Sequence, residues 1–132
     1  MTNGSIATTV QQLEGYLIPR DIDVAVDRIF YHMDLDQPWF ITINVNEQGE
    51  EEYSASVDVD DDEFDLQINT TNVADRSEAL ECLYHELTHI RQYLEGRDPF
   101  GPVSTQESYL ADPLEIEARE YENYEHDHHS YL

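Results

Sequence analysis

The stretch His85-Glu86-Leu87-Thr88-His89 constrains this chain more than any other. On a helix, positions i and i+4 share one face, so both imidazoles can grip a single metal ion. Glu86 follows the first histidine directly, within reach of a water on the same ion. The flanking residues predict that helix. Asp75 suits the N-cap, and Glu78 completes a capping box. Leu80, Leu83, Leu87, Ile90 and Leu94 recur at steps of three and four, the pattern of an amphipathic helix. Gly96 and Pro99 then act as stop signals, so the helix is expected over about Arg76 to Glu95. Tyr84, Leu87, Thr88 and Ile90 are uncharged, as a metal-bearing helix beside a core requires. The competing interpretation is a solvated helix with two unrelated histidines.

A catalytic zinc takes three protein ligands and leaves a fourth position open for water, so a third ligand must come from another element. A second helix is expected from Asp112 as N-cap and Pro113 at the first helical position. Leu110, Leu114, Ala118 and Tyr121 form its apolar stripe. Glu115 and Glu117 flank that stripe, and each is a candidate ligand. Glu115 also occupies N3 after Asp112, where it could complete a capping box and leave the metal to Glu117. Cys82, one turn before His85, is a further candidate, although a buried structural thiol is the commoner role for such a residue.

The two histidines followed by a glutamate on the next helix resemble the gluzincin group of zinc metallopeptidases. Glu115-x-x-Ala118 is similar to that group's glutamate-x-x-small signature. Tyr109, Pro113, Glu115, Ala118 and Arg119 together resemble small metallopeptidase-like domains of bacteria and phages, including the ImmA/IrrE-like proteins. The resemblance covers about residues 76 to 124. It implies a zincin-like fold, zinc held by His85, His89 and Glu115, and Glu86 as the catalytic base. It also implies that Ala118 lets the two helices approach. One departure is Arg119, which stands where an Asp or Asn often follows the small residue, so no outer carboxylate for a metal histidine is identified. Tyr93, Tyr109, Tyr121 and Arg119 are candidates for a second oxyanion donor.

The N-terminal part reads as scaffold. Ile6, Val10, Leu13 and Leu17 have helical spacing, giving a helix over Ile6 to Leu17 that Pro19 interrupts. A second helix is expected over Asp21 to Met33, with Ile22, Val26, Ile29 and Phe30 on its apolar face. After Pro38 the run Trp39 to Val45 alternates and is rich in β-formers. Gln48-Gly49 marks a turn. Tyr53, Ala55, Val57 and Val59 alternate again, and Phe64, Leu66 and Ile68 form a third strand beyond the charged turn Asp60-Asp61-Asp62. Three closely spaced strands predict an antiparallel meander. The expected fold is therefore α+β and zincin-like: two N-terminal helices, a three-stranded antiparallel sheet, the histidine helix and a glutamate-bearing helix. Residues 1–124 form one domain in this reading, and 125–132 a polar His-rich tail.

The formal net charge of −24, with no lysine among 132 residues, argues against nucleic acid and anionic membranes as partners, because both need basic patches. It suits basic partners, cations or a salt-rich environment. The acid run Asp58 to Asp65 lacks the glycine and terminal glutamate of a calcium loop and fits a solvated hairpin. Glu125-His126-Asp127-His128-His129 is a second metal-prone cluster, in a tail. A single cysteine excludes an internal disulfide framework. Met1 to Ile6 is polar and lacks a basic n-region, so neither a signal peptide nor a membrane span is expected. Cytoplasmic residence follows, and association with a virion is compatible with it. The function expected is hydrolysis of a peptide or protein substrate by a metallopeptidase with a zinc cofactor. Two other classes fit the sequence: a catalytically silent metal-holding module, and an acidic protein that caps a basic partner. The sequence does not fix the oligomeric state.

Overall fold

The computed structural model describes residues 6–14, 16–31, 33, 35, 37–47, 49, 54–97 and 113–121, with residues 120 and 121 described by their backbone only. Strand β1 (Ile6–Leu13) is followed by helix α1 (Pro19–Phe30) and strand β2 (Trp39–Asn46). A hairpin of β3 (Ala55–Asp60) and β4 (Glu63–Asn69) comes next, then a short 3₁₀ turn (Thr70–Asn72). Helix α2 (Arg76–Leu94) and helix α3 (Pro113–Tyr121) complete the described elements. The four strands form one sheet in the order β1-β2-β4-β3.

This architecture corrects the expected one. The class is α+β, but the sheet has four strands, and it is mixed rather than antiparallel. β1 runs parallel to β2, β2 runs parallel to β4, and only β3 and β4 pair antiparallel. The hydrophobic effect explains the order. Ile41, Ile43 and Val45 of β2 and Phe64, Leu66 and Ile68 of β4 are all buried, so these two strands take the centre. β3 is only half-buried on its inner side, with burial alternating against exposed Asp58 and Asp60, and so it forms an edge. Placing β4 beside β2 leaves the hairpin to fold outward.

The second correction concerns the expected first helix, which is the strand β1. Its sequence, Ile-Ala-Thr-Thr-Val-Gln-Gln-Leu, is rich in β-branched residues. Ile6, Thr8, Val10 and Leu13 pair with Trp39, Ile41, Ile43 and Val45, with an irregularity between Val10 and Gln12. That bulge inserts one residue and switches the parity of the alternation. Steps of four and then three along Ile6, Val10 and Leu13 therefore mimic helical spacing while all three face one side of a sheet. The remaining predicted elements have structural counterparts: α1 starts at Pro19 and ends at Phe30, and the three predicted strand runs lie on β2, β3 and β4. Tyr53, Gln48, Leu110, Asp112 and the tail of residues 125–132 lie outside the described residues.

Helices α1 and α2 cover one face of the sheet. Ile22, Ala25 and Ile29 of α1 and Leu80, Leu83, Tyr84, Leu87 and Ile90 of α2 are buried against the inner residues of β2 and β4. Trp39, Phe64 and Tyr93 close one end of this core through ring contacts of 5.3–6.1 Å. The start of α1 is tied to the start of α2 by Asp21, whose two oxygens each lie 2.7 Å from the Arg76 guanidinium. Among the described residues no helix is long and apolar enough to cross a membrane.

Candidate metal centre

Local sequence makes α2 rigid at both ends. Asp75 accepts the Glu78 amide at 2.9 Å, and the Glu78 carboxylate reaches back to the Ala74 amide at 3.4 Å. At the other end Gly96, with φ of +84°, lets the chain reverse. Its N–H donates to the Tyr93 carbonyl, and that of Arg97 to the Gln92 carbonyl. This is the paired arrangement of a Schellman cap, in which the left-handed residue is best filled by glycine. A helix fixed in this way holds the faces of His85 and His89 in register.

The two imidazoles meet edge to face, with ring centroids 4.7 Å apart and Nε2 atoms 3.1 Å apart. Helix α3 brings Glu115 to the same point. Its Oε1 lies 2.7 Å from His89 Nε2, and its Oε2 lies 3.1 Å from His85 Nε2. His89 and Glu115 are buried, and His85 is half-buried. Ala118, fully buried on the same side of α3, keeps the contact with α2 close. Thus His85, His89 and Glu115, which the sequence singles out separately, are brought together. Among the described residues they form the group able to hold a metal ion, with donor atoms all within 4.8 Å of one another.

The donor set fits a cation. Two imidazole nitrogens and a carboxylate converge on one point, and their lone pairs can all be offered there to a positive charge. Glu115 Oε2 is buried and has no hydrogen-bond partner. A buried carboxylate oxygen left in this way is costly, and a metal ion satisfies it directly. Donors about 2.0–2.2 Å from one zinc stand roughly 3.3–3.6 Å apart in a tetrahedron. The observed separations of 3.1, 3.1 and 2.7 Å are shorter than that, and the two to Glu115 are made by different carboxylate oxygens. Burial pushes the Glu115 carboxyl up, but the two imidazoles beside it favour its charged form, outweigh burial and hold it well below the usual carboxylate range. The carboxylate is therefore ionised, as a ligand must be.

Glu117, the other candidate, faces away from this point. Its carboxylate binds the Arg97 guanidinium at 3.0 and 3.2 Å and accepts from the Gln92 amide at 3.3 Å. Burial raises its pKa, and Arg97 and Gln92 bring it below the ordinary value. Cys82 is a half-buried thiol outside the metal-holding group. It lines an open cleft of about 240 Å³ together with Glu78, Glu81, His85, Glu86, Ser54 and Ala55. Glu86 thus borders the cleft that His85 also faces, beside the first residues of edge strand β3. Of the proposed oxyanion donors, Tyr93 packs its ring on Trp39 and Phe64, and Arg119 is half-buried on α3. Tyr109 and the side chain of Tyr121 lie outside the described residues.

Gln92 is the residue that sequence reading missed. It is fully buried on α2, three residues after His89. Its Oε1 lies 2.8 Å from His89 Nδ1, and its Nε2 donates to the Leu114 carbonyl at 2.9 Å. The available signal was a polar residue on the histidine side of an amphipathic helix, one turn beyond the motif. Comparison with protein-family models, with curated proteins and with solved structures found no match to this chain.

Proposed function

We propose that this chain is a zinc-dependent metallopeptidase. The observation that carries the reading is the convergence of His85, His89 and Glu115 on one point, with Glu86 on the adjoining cleft. Two imidazoles and one carboxylate are a donor set suited to catalytic zinc, and this order of ligands is the one the gluzincin resemblance implies. Bound zinc would supply Lewis-acid polarisation of a carbonyl and a lowered pKa for water. Glu86 would take the proton of the attacking water and pass it to the leaving amine. The start of β3 would receive an extended peptide. It borders the cleft at Ser54 and Ala55, and β3 is an edge strand able to pair through its backbone.

A second reading is favoured by the position of the cluster between α2 and α3. A metal there would tie the two helices together, which is a sufficient role in a small domain. The two readings part at Glu86. Glu86→Gln keeps zinc under both, since Glu86 is not a ligand, and under the first it abolishes peptide hydrolysis. The test is elemental analysis and peptide turnover, in a background carrying His126→Ala, His128→Ala and His129→Ala. Zinc-loaded protein without turnover on any peptide library leaves the structural reading. Turnover that persists in Glu86→Gln at the original rate overturns the mechanism. The same donor set also accepts iron(II), and because zinc outcompetes iron(II) at such sites, the metal retained by protein purified without chelators, rather than relative affinity, identifies the ion.

A further inference from the structure

We infer that Gln92 is the positioning residue of this metal site, setting which nitrogen His89 presents and holding the glutamate helix against it. The inference rests on the reading of His85, His89 and Glu115 as metal ligands. A carboxamide has one acceptor oxygen and two N–H donors, and its orientation is fixed once its neighbours are known. Here the neighbours leave one choice. The Leu114 carbonyl and the Glu117 carboxylate can only accept, and both face the amide nitrogen, at 2.9 and 3.3 Å. Gln92 Oε1 must then face His89 Nδ1, 2.8 Å away, and it can only accept from it. His89 is thereby held with its Nδ1–H on Gln92 and with Nε2, the nitrogen that meets Glu115 at 2.7 Å, left as the one it can present to a metal. An outer acceptor on the far nitrogen is what orients most metal-bound histidines. In this chain an amide fills that role.

The same amide does a second job. Leu114 is adjacent to Glu115, so the bond to its carbonyl fixes the backbone from which the third ligand projects. Glu117 is held in turn by Arg97, which stands just beyond the cap of α2. Gln92 is therefore the common partner of one ligand and of the element that supplies another. Full burial makes each of these bonds hard to replace by water.

Three forms of the full-length chain test this, all in the background with the tail histidines replaced by alanine. They are the otherwise unchanged chain, Gln92→Leu, and Gln92→Glu combined with Glu117→Gln. The double variant keeps an acceptor for His89, gives the new carboxylate a side-chain donor and gives up the bond to Leu114. Zinc affinity is expected to fall about 10- to 100-fold in Gln92→Leu, the usual cost of losing an outer partner, and by less, about three- to tenfold, in the double variant, which restores the acceptor for His89 but not the bond to Leu114. Nitrogen-15 NMR of the metal-free, otherwise unchanged chain is expected to show His89 protonated at Nδ1, with that preference lost in Gln92→Leu. Equal loss of affinity in both variants, or unimpaired binding in Gln92→Leu, overturns the positioning role, and so does a His89 protonated at Nε2 and bare at Nδ1 in the unchanged chain. If Gln92→Leu does not fold, the double variant and the NMR signature decide. Absence of zinc uptake by the unchanged chain overturns the metal reading instead, and the His89 signature still decides the orientation set by Gln92.

Discussion

Two buried carboxylates lie against the two halves of α2, and the fold satisfies them differently. Asp21, with no exposed surface, receives both guanidinium nitrogens of Arg76 at 2.7 Å and the Ile18 amide at 2.8 Å. Its charge is met by a permanent cation of matching shape. Glu115 is almost as buried, yet it faces two imidazoles and retains an oxygen without a hydrogen bond. The first arrangement is complete and closes the start of two helices. The second has acceptors in excess and belongs to a group able to hold a metal ion. The difference separates a structural carboxylate from one able to ligate better than burial does, because both are buried.

Removing a partner tests the first carboxylate. Arg76→Ala leaves Asp21 buried beside no guanidinium, and unfolding in urea is expected to show a loss of about 3–5 kcal/mol, as for other broken buried pairs. The partial exposure of Arg76, 28 % of its side chain, points to the lower part of that range. A loss below about 1 kcal/mol would put Asp21 in the same category as a surface pair.

The second carboxylate is expected to respond in binding rather than in folding. Glu115→Gln should weaken zinc at least about 100-fold, since a lost ligand costs more than a lost outer partner. Its effect on the metal-free protein should stay under about 1.5 kcal/mol, the scale of one hydrogen bond. Glu117→Gln should leave zinc affinity within a few fold, because its carboxylate belongs to Arg97. Isothermal titration of the two variants checks this, and a reversed order would make Glu117 the ligand.

The smallest expected effect is at Arg97. Its pair with Glu117 is exposed on both sides, with 39 % and 30 % of the side chains accessible, so Arg97→Ala should cost under about 1 kcal/mol at neutral pH. The sign of its pH dependence follows from Glu117. The folded carboxyl titrates below its ordinary 4.5, so its contribution is present above that value and is lost as the pH falls through the folded one. The stability difference between the unchanged chain and Arg97→Ala should therefore shrink in acid and at high salt. A difference that grows in acid would contradict the pairing.

Much of the site was legible because its information is local. The cap at Asp75, the stop at Gly96 and the five-residue motif between them fix α2 and the shared face of His85 and His89 within one helix. Pro113 at the first helical position marks α3 in the same way. Glu115 was legible only as one of two candidates. Two glutamates two positions apart on a helix point about 200° apart, so choosing between them requires knowing which side α3 turns to α2. Gln92 was not legible as an outer partner, because the carbonyl that orients its amide belongs to an element 22 residues further along the chain.

The sheet divides along the same line. Alternation in Trp39–Asn46 and Glu63–Asn69 is a property of each segment and marks both as strands with one buried face. The partners of those strands are not a local property. β4 lies beside β2 because the two most apolar faces bury more surface at the centre of the sheet than at its edge. Ile6–Leu13 is a strand because β2 offers it a parallel ladder and a bulge at Gln11 brings Leu13 to the inner face. The sequence by itself determined the histidine-bearing helix and the alternating segments, since those follow from backbone geometry over a few residues. Only the tertiary structure decided the strand order, the meeting of Glu115 with the two histidines and the orientation of His89 by Gln92, since each needs contacts between distant segments.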